Sequence, residues 1–262
     1  RNHNMHLYHT ATIHTYRQFE QLIWLSVKAA SLARHAQPGQ VALVRHSQPG
    51  LDPLLWTTLF LAGADPATGT VEFLIDPRDP AVIWLSDLSP GTALDLCVPG
   101  GKHFSLKPTT QTLLLAGTGA ALPALLFLAR QQAGRQNIAL FMAGDTGFLP
   151  PPFLLPPTVE IQISQAGEAT LFDLLTSSPQ SPLRWADQIG LALPPTMLAL
   201  AANVIRSTRL RWQPGLAQVV VAGSLPCGIG VCRACQIETR HGWQRRCVEG
   251  PVFDLYDLRL SL

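Results

Sequence analysis

Three cysteines crowd into the run Cys227-Gly228-Ile229-Gly230-Val231-Cys232-Arg233-Ala234-Cys235, and a fourth, Cys247, follows. The C-x4-C-x2-C spacing with a distant fourth cysteine constrains the fold more than any other feature. It is the pattern in which four thiolates bind a [2Fe–2S] cluster. A loop must wrap the irons to supply three ligands, and a separate strand must bring the fourth. Gly228 and Gly230 suit that loop, because glycine tolerates positive φ and lets backbone N–H groups approach sulfur. Between Cys235 and Cys247 the sequence predicts a hairpin, out over 236–239, turning at His241-Gly242 and back over 243–246. Zinc sites of this size usually take two C-x2-C pairs. One such pair is present here, so a zinc-stabilised interaction module ranks behind the cluster, as do disulfides or no metal.

The chain has 262 residues, enough for two domains or one domain and an appended module. Its hydrophobic fraction of 47% and charged fraction of 14% imply a large buried share or a permanent partner interface. A formal charge of +2 without a long basic run argues against nucleic acid as a partner. The start, Arg1-Asn2-His3-Asn4-Met5, lacks the apolar stretch of a secretory signal. The apolar run 113–129 is broken by Gly117, Gly119 and Pro123, which predicts a buried strand, turn and helix rather than a membrane span. With four thiolate ligands, the expectation is a cytoplasmic protein.

Strand patterns at 8–14, 19–27, 40–45, 57–61, 70–75 and 93–97, punctuated by Pro and Gly turns, predict an antiparallel β-barrel, with a short helix over 81–88. From Gln111 apolar runs alternate with helical patterns: strands at 113–116, 138–142, 159–164, 185–193 and 219–222, helices through Arg130, over 170–175 and over 195–206. Alternation of this kind predicts a parallel α/β sheet. The fold class is therefore β plus α/β: a barrel over 5–107, a nucleotide-type α/β domain over 108–212 and a [2Fe–2S] module over 213–262.

These residues resemble the electron-transfer subunit of class 1B dihydroorotate dehydrogenase, a branch of the ferredoxin-reductase-like flavoproteins. The cysteine run and Arg246-Cys247-Val248-Glu249-Gly250-Pro251-Val252-Phe253 are similar to that family's C-terminal signature. In the barrel, Gln37-Pro38-Gly39-Gln40, Leu51-Asp52-Pro53-Leu54-Leu55 and Leu88-Ser89-Pro90-Gly91 are similar too. Gly117-Thr118-Gly119 stands in the place of the glycine-rich nucleotide loop. The resemblance implies an oligomeric assembly in which electrons pass from NADH to FAD, through a cluster held by Cys227, Cys232, Cys235 and Cys247, to the FMN of a separate catalytic subunit. In the family that subunit oxidises dihydroorotate in pyrimidine synthesis.

The chain departs from the family at both entry sites. The flavin motif of the family carries an arginine for the FAD pyrophosphate and a serine for a phosphate oxygen. Here the run is Trp56-Thr57-Thr58-Leu59-Phe60, with Thr57 at the arginine position and Phe60 at the serine position. A neutral hydroxyl does not replace an arginine fork. The second flavin element, a Gly-x-Gly-Thr segment in the family, is replaced by Asp76-Pro77-Arg78-Asp79-Pro80-Ala81. The Cys-Gly-Pro element before the last helix is replaced by Leu191-Ala192-Leu193-Pro194-Pro195-Thr196-Met197. Thr57, Thr58, Gly117 and Gly119 are the FAD- and NAD-type positions left. Two readings follow. One is an FAD- and NADH-using electron-transfer subunit with unusual binding residues. The other is a flavin-less cluster-bearing subunit that wires or stabilises a larger complex.

Other residues have plainer roles. Cys97 reads as a buried structural thiol. Trp24, Trp56, Trp84 and Trp185 read as core or interface anchors. Lys102 and His103 read as a surface loop and His241 as a solvated turn residue. Arg233, Arg240, Arg245 and Arg246 form a basic rim about the cysteines.

Overall fold

Alternation of apolar side chains closes the first part of the chain into a barrel. The computed structural model describes residues 7–48, 50, 55–98, 101–177 and 179–260. The expected lead-in at 51–54 lies outside them. Strands β1 (Leu7–Phe19), β2 (Leu22–Lys28), β3 (Val41–His46), β4 (Thr57–Asp65), β5 (Thr70–Ile75) and β6 (Ala93–Val98) form a closed antiparallel barrel in the order β1-β2-β5-β4-β3-β6. On β2, Ile23, Leu25 and Val27 join the barrel interior, while Trp24 joins the core shared with the second domain. On β4, Leu59 and Leu61 point inward, and Phe60 and Ala62 point towards the second domain. This two-residue period decides which side chains of β4 can meet a ligand.

The expected strand over 19–27 is divided. Glu20 takes a positive φ of 52° and reverses the chain between β1 and β2. Helix α1 (Ala30–His35) was not anticipated; it is too short for a period to show, and it seats Leu32 and Ala33 on the barrel core. The expected helix over 81–88 is a 3-10 turn, Ile83–Asp87.

The second domain is a six-stranded sheet of order β14-β11-β10-β7-β8-β9. Its strands are β7 (Thr112–Gly117), β8 (Asn137–Ala143), β9 (Val159–Ser164), β10 (Gln188–Leu193), β11 (Ala217–Val221) and β14 (Val252–Asp254). All neighbours run parallel except the antiparallel pair β11 and β14. Helix α2 (Leu122–Gln132) is buried from Leu122 through Ala129, since one side meets the sheet and the other meets β4. Helices α3 (Leu171–Thr176) and α4 (Leu198–Thr208) cover the opposite face. Strand β10 starts later than expected. A 3-10 turn at Pro182–Arg184 precedes it and leaves Trp185 exposed, not anchored in a core. The barrel, the parallel α/β sheet and the C-terminal cysteines agree with the fold class expected from the sequence.

The cysteine segment is an excursion between β11 and β14, and it includes the hairpin β12 (Gln236–Thr239) and β13 (Gly242–Arg245). Its base is therefore rooted in the sheet. One continuous core joins Trp24 and Phe60 of the barrel, α2, and the buried Cys235 and Cys247. Among the described residues, no helix is long and apolar enough to cross a membrane.

Candidate metal centre and interdomain cleft

The predicted hairpin forms and returns Cys247 to the loop. Gln236 pairs with Arg245, and Arg246 N–H donates to the Cys235 carbonyl at 3.0 Å. The Cys235 and Cys247 sulfurs are then 3.4 Å apart and 1% exposed. Cys227 lies against Cys232, which faces solvent. Gly228 and Gly230 take φ of 65° and 79°, as the loop requires, and Arg233 joins them at 56°.

The backbone turns its N–H groups onto the sulfurs. Burial opposes ionisation of Cys227, but hydrogen bonds from Cys232 (its N–H and its thiol) and from the N–H groups of Ile229 and Val231 outweigh it, bringing Cys227 down to about 6. Cys247 is pushed up to about 12, by burial first and then by Cys235 and the charge of Cys227, against a hydrogen bond from the Gly230 N–H. The four thiols stand as two pairs. A lone tetrahedral ion needs its donors around one point, whereas two bridged irons take them in pairs. The donor set fits the second arrangement.

Two of the expected rim arginines are structural. Arg245 pairs with Glu249 at 2.5 Å and reaches the Gly230 carbonyl. Arg246 donates to the carbonyls of Ala222 and Ser224, closing the base of the loop. Arg233 and Arg240 are exposed, with Arg240 over the Tyr256 ring at 4.1 Å. His241 is exposed at its turn, 3.8 Å from Asp257. Cys97 is half-buried on β6, where burial raises its pKa.

A separate cleft of about 220 Å³ opens between barrel and sheet, floored by Phe60, Leu74, Leu122 and Leu149. It contains Gly119 and Thr58 but neither Gly117 nor Thr57 in its lining. Thr57 is 5% exposed; its hydroxyl donates to the Ala81 carbonyl and accepts from Trp84 Nε1. Thr58 Oγ1 accepts from the Leu225 N–H at 2.9 Å, pinning the entry of the cysteine segment to β4. A Cβ on Gly117 would come within 2.7 Å of Leu125 and 3.0 Å of Ala192, so packing accounts for this glycine. Gly119 has a φ of 65° and turns the chain into α2. These residues fit an FAD pyrophosphate poorly: Thr57 both donates and accepts within the barrel, Phe60 offers no donor, and Thr58, which accepts from Leu225, has one neutral hydroxyl proton where an arginine fork would stand.

Sequence reading missed Asp145 and Glu168. Asp145 follows the carboxyl end of β8, where open α/β sheets place ligand-facing residues, so its position was the available signal. Arg78 bonds to Asp76 at 2.7 Å and to Asp145 at 2.8 Å, and its guanidinium lies 3.3 Å from the Phe148 ring centre.

Residues 224–259 match the family model for the iron–sulfur cluster binding domain of dihydroorotate dehydrogenase B. Over 245 residues the chain is 25% identical to the electron transfer subunit of dihydroorotate dehydrogenase B (NAD(+)) of Shouchella clausii strain KSM-K16, covering 89% of this chain and 91% of that one. The corresponding subunit of Caldanaerobacter subterraneus subsp. tengcongensis is 26% identical over 174 residues, 64% of this chain and 67% of that one. Among solved structures, that of an NADH-dependent reduced ferredoxin–NADP oxidoreductase superposes with a TM-score of 0.78 at 19% identity, over 96% of this chain and 90% of that one. The ferredoxin reductase of carbazole 1,9a-dioxygenase gives 0.62 at 18% identity, over 78% and 66%. Fold and cysteine module together define a ferredoxin-reductase-like chain with an iron–sulfur-type C-terminal segment. The chain is similar to the electron transfer subunits of dihydroorotate dehydrogenase B, as the resemblance in its motifs implied.

Proposed function

We propose that the chain is an iron–sulfur electron-transfer subunit, with Cys227, Cys232, Cys235 and Cys247 as the ligands of a [2Fe–2S] cluster. When bound, the cluster supplies one-electron redox chemistry. The observation that carries the reading is the arrangement of two thiol pairs in a loop whose N–H groups face them. Those N–H groups stabilise negative charge on the sulfurs. Cys235 and Cys247 sit at the dry end of the loop, against the core that reaches α2 and the barrel. Cys232 sits at the open end, in a loop whose Ile229 and Val231 are also exposed. Exposed apolar side chains on this loop, together with the exposed Arg233 and Arg240, suit a protein surface with acidic rim groups.

The proposed partner is a redox subunit, of the FMN type that the family resemblance implies, and the proposed working unit is an oligomer in the cytoplasm. Work divides along the chain into barrel 5–107, nucleotide-type domain 108–212 and cluster module 213–262, with β11 and β14 rooting the module in the sheet. The test is anaerobic purification followed by iron and acid-labile sulfide analysis. About two of each per chain are expected. Zinc at one per chain, or disulfide-bonded cysteines, would end this reading.

A further inference from the structure

We propose that the interdomain cleft is a clipped seam that takes neither FAD nor NAD(H), so that electrons reach the cysteine site from a protein-borne one-electron carrier and not from a flavin within this chain. Charge is the first ground. Among the described lining residues, Arg78 is the one Lys or Arg, against Asp76, Asp79, Asp145 and Glu168. Arg78 is itself held by Asp76 and Asp145. A dinucleotide brings two phosphates into this field, with no free cation among the described lining residues to meet them. Glu168 adds a specific obstacle. Its Oε1 would lie 3.0 Å from a Cβ at Gly119, so a carboxylate already stands by the amino end of α2, where a phosphate would sit.

Geometry is the second ground. The segment 145–153 straps across from the sheet to the barrel at three separate places. Asp145 meets Arg78 on the turn after β5. The Gly147 carbonyl accepts from the Gln21 N–H at 3.2 Å, at the β1–β2 turn. Phe153 packs edge-on against Phe19 with ring centres 5.4 Å apart. The space left under the strap, about 220 Å³, is below the roughly 300–1,000 Å³ of ordinary small-molecule pockets. Cys227, Cys232, Cys235 and Cys247 would hold a cluster that could take one electron from a donor protein and give the same electron to an acceptor, with no proton or atom transferred. This electron route rests on the cluster reading above, whereas the seam itself does not.

The experiment uses the full chain after anaerobic purification, with iron measured in every sample. Equilibrium dialysis against FAD, and separately against NADH, is expected to show no saturable binding. NADH is expected to leave the visible spectrum unchanged, while dithionite bleaches it. Stoichiometric FAD, or bleaching by NADH, would overturn the proposal. Hydrogen exchange tests the clip independently. Asp145→Ala is expected to speed amide exchange several-fold in 76–80 and 145–153 while iron content stays at the parent level. Unchanged exchange in both segments would equally overturn it. Missing iron in the parent chain would instead sink the ligand assignment, since the dialysis result does not depend on the cluster.

Discussion

The sulfur of Cys235 lies 3.4 Å from that of Cys247, and this contact exists because β12 and β13 pair in a register that sets Gln236 opposite Arg245. A shift of one residue would turn Cys247 away, since strand side chains alternate. Cys235→Ser and Cys247→Ser are therefore expected to purify with less than half the parent iron and weak visible absorption. Cys97→Ser is the control. Cys97 sits on β6 opposite Leu43 of the barrel and is expected to leave iron and colour unchanged. Iron analysis of the three variants checks both statements; full iron in Cys247→Ser would remove it from the ligand set.

Gly101 tests how the module is moored. A Cβ at this position would fall 2.3 Å from the Gly250 carbonyl oxygen, which is backbone and cannot swing aside. The same oxygen accepts from the Lys102 N–H at 2.7 Å. Gly101→Ala must break that bond or move the chain that carries β14. A loss of about 2–3 kcal/mol is expected from overpacking together with an unmet hydrogen bond. Denaturant unfolding measures it, and a change below about 0.5 kcal/mol, the usual size for an innocuous surface substitution, would show that the contact carries no weight.

Asp187 gives a pH-dependent stability. It accepts from the N–H groups of Gln111 and Thr112 and from the Thr112 hydroxyl, each at 2.9 Å, and these bonds lower its pKa. A group with a depressed folded pKa stabilises above its unfolded value, near 3.9, and loses that contribution as pH falls through the folded value. Asp187→Asn is therefore expected to cost about 1 kcal/mol at pH 7, since the site is exposed and its charge is screened. The difference should vanish in acid, below the folded pKa. Unfolding curves of the two proteins at neutral and acid pH check this, and a difference independent of pH would contradict it.

The cysteine site was legible because its information is local. Four residues, two glycines and a hairpin turn lie within one short stretch, and each has a single structural use. The barrel strands and the parallel sheet were legible from periodicity for the same reason. The cleft was not. Asp145 and Glu168 matter through contacts with Arg78 and Gly119, which are distant in the sequence and meet only when barrel and sheet dock. Gly117 is required by packing that the Gly-x-Gly spelling does not reveal: Leu125 and Ala192 leave no room for a side chain there. The break at Glu20 was hidden because residues on either side of it are apolar enough to read as one strand.

Thr57 and Thr58 are neighbours with opposite duties, and this gives the sharpest test of how β4 is used. Thr57 serves the barrel, through Ala81 and Trp84. Thr58 serves the cysteine segment, through Leu225, whose side chain is 1% exposed. Valine has nearly the shape of threonine and removes only the hydroxyl, so each variant leaves one donor unmet at about 1–3 kcal/mol. Thr57→Val should lower overall stability and leave iron retention under chelator challenge unchanged. Thr58→Val should release iron several-fold faster and speed amide exchange at Leu225. If both variants lose iron at the parent rate, the Leu225 bond does not hold the module. If both lose it equally fast, β4 acts through the stability of the barrel as a whole. Only the asymmetric outcome assigns the strand the mechanical role its alternation suggests, with one face closing the barrel and the other holding the metal centre in register.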